Sequence, residues 1–87
     1  MRIILGFGAE KLEFEYPDGA RVPVTMALHS LGEARPAVFA RWCDDQGRIR
    51  RSLSVFVNRE HVRYRDGLDT ELSDNDEVYV IPVIGGG

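Results

Sequence analysis

The sequence predicts an α+β fold, a mixed sheet of four to five strands with one main helix and a short second helix, and three observations carry that reading. Lys11-Leu12-Glu13-Phe14-Glu15-Tyr16 alternates polar and apolar residues without a break, the period of a half-buried strand. Met26, Ala27, Leu28 and Leu31 stand at helical spacing. Two further runs, Leu53 to Val57 and Val78 to Ile84, are rich in β-branched and aromatic residues, which suit the pleated surface of a strand.

The elements follow in order. Arg2 to Phe7 reads as a strand and pairs with Lys11–Tyr16 as a hairpin, with Gly6, Gly8 and Ala9 supplying the turn and Pro17-Asp18-Gly19 closing the second strand. A helix is expected from Thr25, as cap or first residue, to about Leu31, with Gly32 ending it. Pro36 to Cys43 starts a second short helix with proline in its first turn, and Asp44-Asp45-Gln46-Gly47 stops it. Arg51 to Asn58 is expected as a central strand, Val62 to Arg65 as a short edge piece, and Glu77 to Ile84 as the last strand. Residues 1–81 then form one domain, and 82–87 a tail.

Composition bounds the function. An 87-residue chain is one domain, burying only about 60–65% of its unfolded surface. With 44% hydrophobic and 29% charged residues it has too many apolar side chains for disorder. No run approaches the roughly 18 apolar residues of a membrane span, and Met1 to Gly6 is too short for a signal-peptide core, so a cytoplasmic protein with no membrane partner is expected. A net charge of -3 argues against nucleic acid as a partner. Cys43 is the sole cysteine and has no motif partner in His29 or His61, which points to a half-buried structural thiol on a helix. Asp74 and Asp76 flank Asn75 in a turn before a strand, where such side chains bond their own backbone, and are read as turn residues rather than metal ligands.

The last four residues, Ile84-Gly85-Gly86-Gly87, add almost nothing to a fold, because glycines pack nothing and lose the most backbone freedom on ordering. A frayed end has the same composition. Glycines also fit a slot too narrow for any side chain, and six residues from Pro82 to Gly87 reach roughly 20 Å. The α-carboxylate of Gly87 is therefore the candidate functional group, with Gly85 and Gly86 as its arm.

The element order resembles the β-grasp, or ubiquitin-like, fold, which implies that the first and last strands pair in parallel at the sheet centre. Leu72-Ser73-Asp74-Asn75-Asp76-Glu77-Val78, then Pro82 and Gly85-Gly86-Gly87, resembles the closing signature of the MoaD/ThiS-type sulfur carriers, Leu-x-Asp-Gly-Asp-x-Val, a proline and Val-Ala-Gly-Gly. Val55-Phe56-Val57-Asn58 is similar to that family's strand ending in Val-Asn. The likeness is strong over about the last 35 residues. Two positions depart from it: Asn75 stands where glycine is usual, a change the left-handed turn tolerates, and Gly85 where alanine or threonine is common.

A carboxylate is a poor acylating agent, so it needs activation. The resemblance implies that a ubiquitin-activating-enzyme-like adenylyltransferase spends ATP to adenylate Gly87. It further implies that a cysteine desulfurase or rhodanese-like donor supplies sulfur, and that the resulting C-terminal 1-thioglycine serves a downstream sulfur-accepting enzyme. The carrier itself would be no enzyme and would hold no cofactor or metal. The layout of Pro36–Arg51 is closer to carriers serving cysteine synthesis than to the shorter thiamine carriers. A ubiquitin-like modifier joined to lysines through Gly87, and a plain β-grasp interaction module, are the alternatives.

Alternation in the last strand turns Val78 and Val80 inward and Tyr79 and Ile81 outward; in the strand before it, Val55 and Val57 face in and Phe56 out. Phe7, Phe56, Tyr79, Ile81 and Pro82 are the expected docking surface at the tail's root. Arginines cluster at 48, 50, 51, 59, 63 and 65, and acidic residues follow from Asp66 to Glu77. Local pairing on a solvated surface and steering toward an activating enzyme both account for this.

Overall fold

The computed structural model describes residues 1–50 and 52–82; Arg51, residues 83–87 and the side chain of Pro82 lie outside that description. The strands are β1 (Arg2–Phe7), β2 (Glu10–Glu15), β3 (Leu53–Val57), β4 (Glu60–His61) and β5 (Glu77–Pro82), and the helices are α1 (Val24–Ala34) and α2 (Pro36–Trp42). The five strands form one sheet in the order β2-β1-β5-β3-β4. β1 runs parallel to β5 and every other pair is antiparallel. This is the β-grasp topology, with the parallel pair at the centre.

The β1–β2 turn is only Gly8-Ala9, since Phe7 pairs with Glu10. Gly8 takes φ +58, the positive value that a two-residue hairpin turn of type II′ asks of its first residue. Gly6 stays within β1. Asn58-Arg59 makes a second two-residue hairpin turn between Val57 and Glu60, both with positive φ (49° and 74°), the type I′ pattern. Glycine is favoured at the second of these places, and an arginine there costs on the order of 1 kcal/mol. The edge strand is consequently Glu60–His61, and Val62–Tyr64, expected as strand, is a 3₁₀ turn.

The core lies between one sheet face and α1, where Ile3, Leu5, Val55, Val57, Val78 and Val80 meet Val24, Ala27, Leu28 and Leu31. α1 begins one residue before Thr25 and carries no side-chain cap; Pro23 stands at the cap position, and the Val24 N–H instead donates to the Thr70 carbonyl at 2.9 Å. Gly32 does not end the helix. It lies inside it because a Cβ there would sit 2.9 Å from Cδ2 of Phe39, so the missing side chain lets α2 pack on α1. α2 starts at Pro36 and brings Trp42 into the core, where its ring meets Phe7 edge-on at 5.7 Å.

Two expectations are corrected here. Phe7 is buried in the core rather than exposed on the open face, because it shares strand parity with Ile3 and Leu5. Cys43 is buried rather than half-buried, and sits just past α2 in extended backbone, bridged to Ile49. The 73–76 segment is a turn: Asn75 takes φ +68, Asp74 Oδ1 accepts from the Arg2 N–H at 2.7 Å, and Asp76 Oδ2 accepts from the Ser73 N–H at 2.7 Å.

Candidate functional site

Among the described residues no helix lies on the sheet face opposite α1, and its side chains are set by register. Lys11 pairs with Gly6, Gly6 with Tyr79, Tyr79 with Phe56, and Phe56 with His61, so one lateral row crosses all five strands. Because Gly6 has no side chain, the Tyr79 ring lies across it; a Cβ on Gly6 would stand 2.7 Å from the ring. The Tyr79 hydroxyl donates to the Gly8 carbonyl at 2.7 Å and pins the ring. The Phe56 ring meets the His61 imidazole edge-on at 5.1 Å, and His61 Nδ1 accepts from the Arg63 N–H at 3.0 Å.

Ile81, one step farther along β5 on the same face, is 45% exposed, and Tyr79 38%. Phe56 is half-buried. These side chains floor an open groove of ≈ 640 Å³, with Lys11, Asn58, Arg59 and Glu77 completing its lining. Lys11 Nζ pairs with Glu77 Oε1 at 3.4 Å. Asn58 anchors the far end: its Nδ2 donates to Asp76 Oδ1 at 2.8 Å, and its Oδ1 accepts from the Glu77 N–H at 3.0 Å. Among the described residues no group of three metal-ligating side chains converges. The groove offers apolar area, two cations and one carboxylate.

Of the residues singled out from the sequence, Phe56, Tyr79 and Ile81 come together on this face, while Phe7 is on the other. Pro82 ends β5 and its side chain is outside the described part, as are Gly85, Gly86 and Gly87. Among the described arginines Arg59 alone lines the groove; Arg65 pairs with Glu60 at 3.9 Å and Arg63 lies over the Tyr64 ring at 5.8 Å. Sequence reasoning missed three contributors. Gly6 was expected in a turn, Lys11 was read only as a polar residue of the alternating second strand, and Arg59 was one of six clustered arginines. The signal for Arg59 was the two-residue gap between the β-rich run ending at Val57 and Glu60, obscured because arginine is not a turn residue.

Comparison with known proteins places this geometry. SAMP1 from Haloferax volcanii superposes with a TM-score of 0.83 over 100% of both chains at 21% identity, a likeness of fold. The sulfur carrier protein CysO of Mycobacterium tuberculosis is 39% identical over 41 residues, 47% of this chain and 44% of that one. A protein of Archaeoglobus fulgidus named "Putative sulfur carrier protein" is 44% identical over 70 residues, 80% of each chain. The sequence profile of the ThiS family matches residues 8–87. The chain therefore belongs to the ThiS family, and it is a sulfur carrier protein, a small ubiquitin-like carrier and not an enzyme.

Proposed function

We propose that the carrier works through the α-carboxylate of Gly87. A ubiquitin-activating-enzyme-like adenylyltransferase joins it to AMP, with pyrophosphate leaving from ATP. Hydrosulfide from a sulfur donor then attacks the acyl carbon, AMP leaves, and Gly87 becomes a thiocarboxylate, the 1-thioglycine form. Where the donor is a cysteine desulfurase or rhodanese-like persulfide, the first product is an acyl disulfide, and a thiol must reduce it to free the thiocarboxylate. In a downstream enzyme the thiocarboxylate sulfur bonds to the acceptor, water then cleaves the link to the acyl carbon, and the carboxylate returns while the acceptor keeps the sulfur.

The observation that carries this reading is continuity. β5 runs through the groove, exposes Ile81 on its face, and leads directly to the residues that end in the diglycine of the family's closing signature. An enzyme seated on the groove is in place to receive the tail, and the roughly 16 Å that five extended residues span is enough to enter an active site. The long connection after α2 and the likeness to CysO favour cysteine synthesis as the receiving route.

Incubation with a cognate adenylyltransferase, ATP and sulfide tests the proposal by intact mass. The expected product is heavier than the starting chain by the difference between a sulfur and an oxygen atom, and a chain lacking Gly87 gives none. Absence of both adenylate and thiocarboxylate from the intact chain sinks it. Higher-mass conjugates that resist hydroxylamine and form without any sulfur donor would instead favour a modifier, since a lysine amine can attack the same adenylate.

A further inference from the structure

Three non-glycine residues among those described hold a positive φ: Asn58, Arg59 and Asn75. Two of them have a structural reason. Asn75 makes the turn that returns its N–H to the Arg2 carbonyl at 2.7 Å, and Asn58 ties its hairpin to Asp76 and Glu77. Asparagine also tolerates the left-handed region well. Arg59 has neither account. It occupies the place where a type I′ turn favours glycine, and among the described residues its guanidinium joins no ion pair. A residue kept in an unfavourable backbone region without a local return points to use of its side chain.

That side chain lines the groove. The second cation there, Lys11, is matched by Glu77. Among the described residues the groove therefore carries one positive charge with no acidic partner, set beside Phe56 and Ile81, in a chain whose net charge is -3. An occupant complementary to it presents a carboxylate next to an apolar side chain. Of the enzymes that take up the tail, the adenylyltransferase is the one that must recognise the chain before Gly87 is activated. Because the groove adjoins the end of β5 from which the tail departs, an enzyme that draws Gly87 into its active site covers this face as it does so.

We propose that Arg59 is the charged specificity determinant of docking to the adenylyltransferase that activates Gly87, and that it pairs with a carboxylate on that enzyme while Phe56 and Ile81 seat an adjacent apolar side chain. The inference rests on the activation of Gly87 proposed above. Arg59 acts on encounter and register, not on the acyl-transfer chemistry. A charge at the edge of an interface accelerates association and does so less as salt rises.

The test compares Arg59→Gly, Arg59→Lys and Arg59→Glu with the unaltered chain, using a cognate adenylyltransferase, ATP–pyrophosphate exchange and association kinetics at two salt concentrations. Arg59→Gly suits the turn and is expected to melt within about 3 °C of the parent. Its KM as carrier is expected to rise about tenfold with kcat unchanged, mostly through slower association and with a smaller deficit at high salt. Arg59→Glu is expected to lose more, and Arg59→Lys to keep most of the affinity. If the parent chain is adenylated and Arg59→Glu matches it in KM, the role of Arg59 is refuted while the carrier mechanism stands. A fall in kcat at unchanged KM refutes it as well. No adenylation of the parent chain overturns both readings.

Discussion

Two rows of residues cross the sheet one position apart, and they have opposite fates. Leu12, Leu5, Val78 and Val57 form the row on the core side, the last three of them between 0% and 1% exposed. Lys11, Gly6, Tyr79, Phe56 and His61 form the row on the open side. Both contain large apolar groups on the same strands. Water leaves the first row because α1 covers it, so its order comes from packing; the second is kept in place by point contacts, the Tyr79 hydroxyl on Gly8 and the edge of Phe56 on His61. The lesson is that apolar residues serve stability on one side and are left available on the other, and a one-residue shift in register would exchange the two roles.

Truncating each row breaks the comparison most sharply. Leu5→Ala removes a fully buried side chain and is expected to destabilise by about 2–5 kcal/mol in chemical denaturation, without altering the groove directly. Phe56→Ala and Ile81→Ala are expected to weaken binding to the adenylyltransferase by about 1–3 kcal/mol each. Their effect on stability should be smaller than that of Leu5→Ala, since Ile81 is 45% exposed and Phe56 half-buried. Equal losses of stability from Leu5 and Phe56 would show that the two rows do not differ in function.

Gly6→Ala probes what holds the open row. Its new Cβ would lie 2.7 Å and 2.9 Å from Cδ2 and Cε2 of Tyr79, so the ring must lift and release its hydrogen bond to Gly8. The expected loss is about 1 kcal/mol, the net worth of such a bond. Tyr79→Phe should cost a similar amount in the parent and much less in the Gly6→Ala background, because both changes remove the same contact. Additive losses in a double-mutant cycle would refute the pinned ring.

The difference between the rows was legible where the strand alternates and hidden where it does not. In β3 and β5 the valines at 55, 57, 78 and 80 alternate with Phe56, Tyr79 and Ile81, and burial follows that pattern. β1 reads Arg2-Ile3-Ile4-Leu5-Gly6-Phe7, apolar on both parities, so parity groups Phe7 with Ile3 and Leu5 but only the register with β5 shows that this group faces the core. Gly32 looked like a helix end because glycine commonly is one, yet its use comes from Phe39, which approaches from a different helix. The short β4 was displaced along the sequence because Asn58-Arg59 lacks the glycine that announces a hairpin. In each case the missing information is a contact across the fold, which local composition does not carry. The functional end differs again: the glycine tail was legible from its residues and the family's signature, whereas the groove needed three strands and a hairpin turn brought together from separate parts of the chain.

The smallest expected effect belongs to the chain's first amino group. The Met1 ammonium donates to the Tyr16 carbonyl at 2.7 Å and to Asp18 Oδ1 at 3.0 Å, with Glu15 at 3.8 Å. The hydrogen bond to Asp18, aided by the charges of Asp18, Glu15 and Asp74, raises its pKa above the ordinary 8.0, while desolvation opposes the rise. Folding therefore favours the protonated amine. Its contribution is fully present below about pH 8, the unfolded value, and fades as pH climbs through the higher folded value. Melting temperatures measured from neutral to alkaline pH should show a small decline starting near pH 8 in the chain with a free Met1 amine. The same chain acetylated at Met1 should lack that decline, since it has no charge to lose. Stability in this region that is identical for the two forms would mean that the ammonium adds nothing, leaving the backbone pairing of β1 with β2 to hold the edge of the sheet alone.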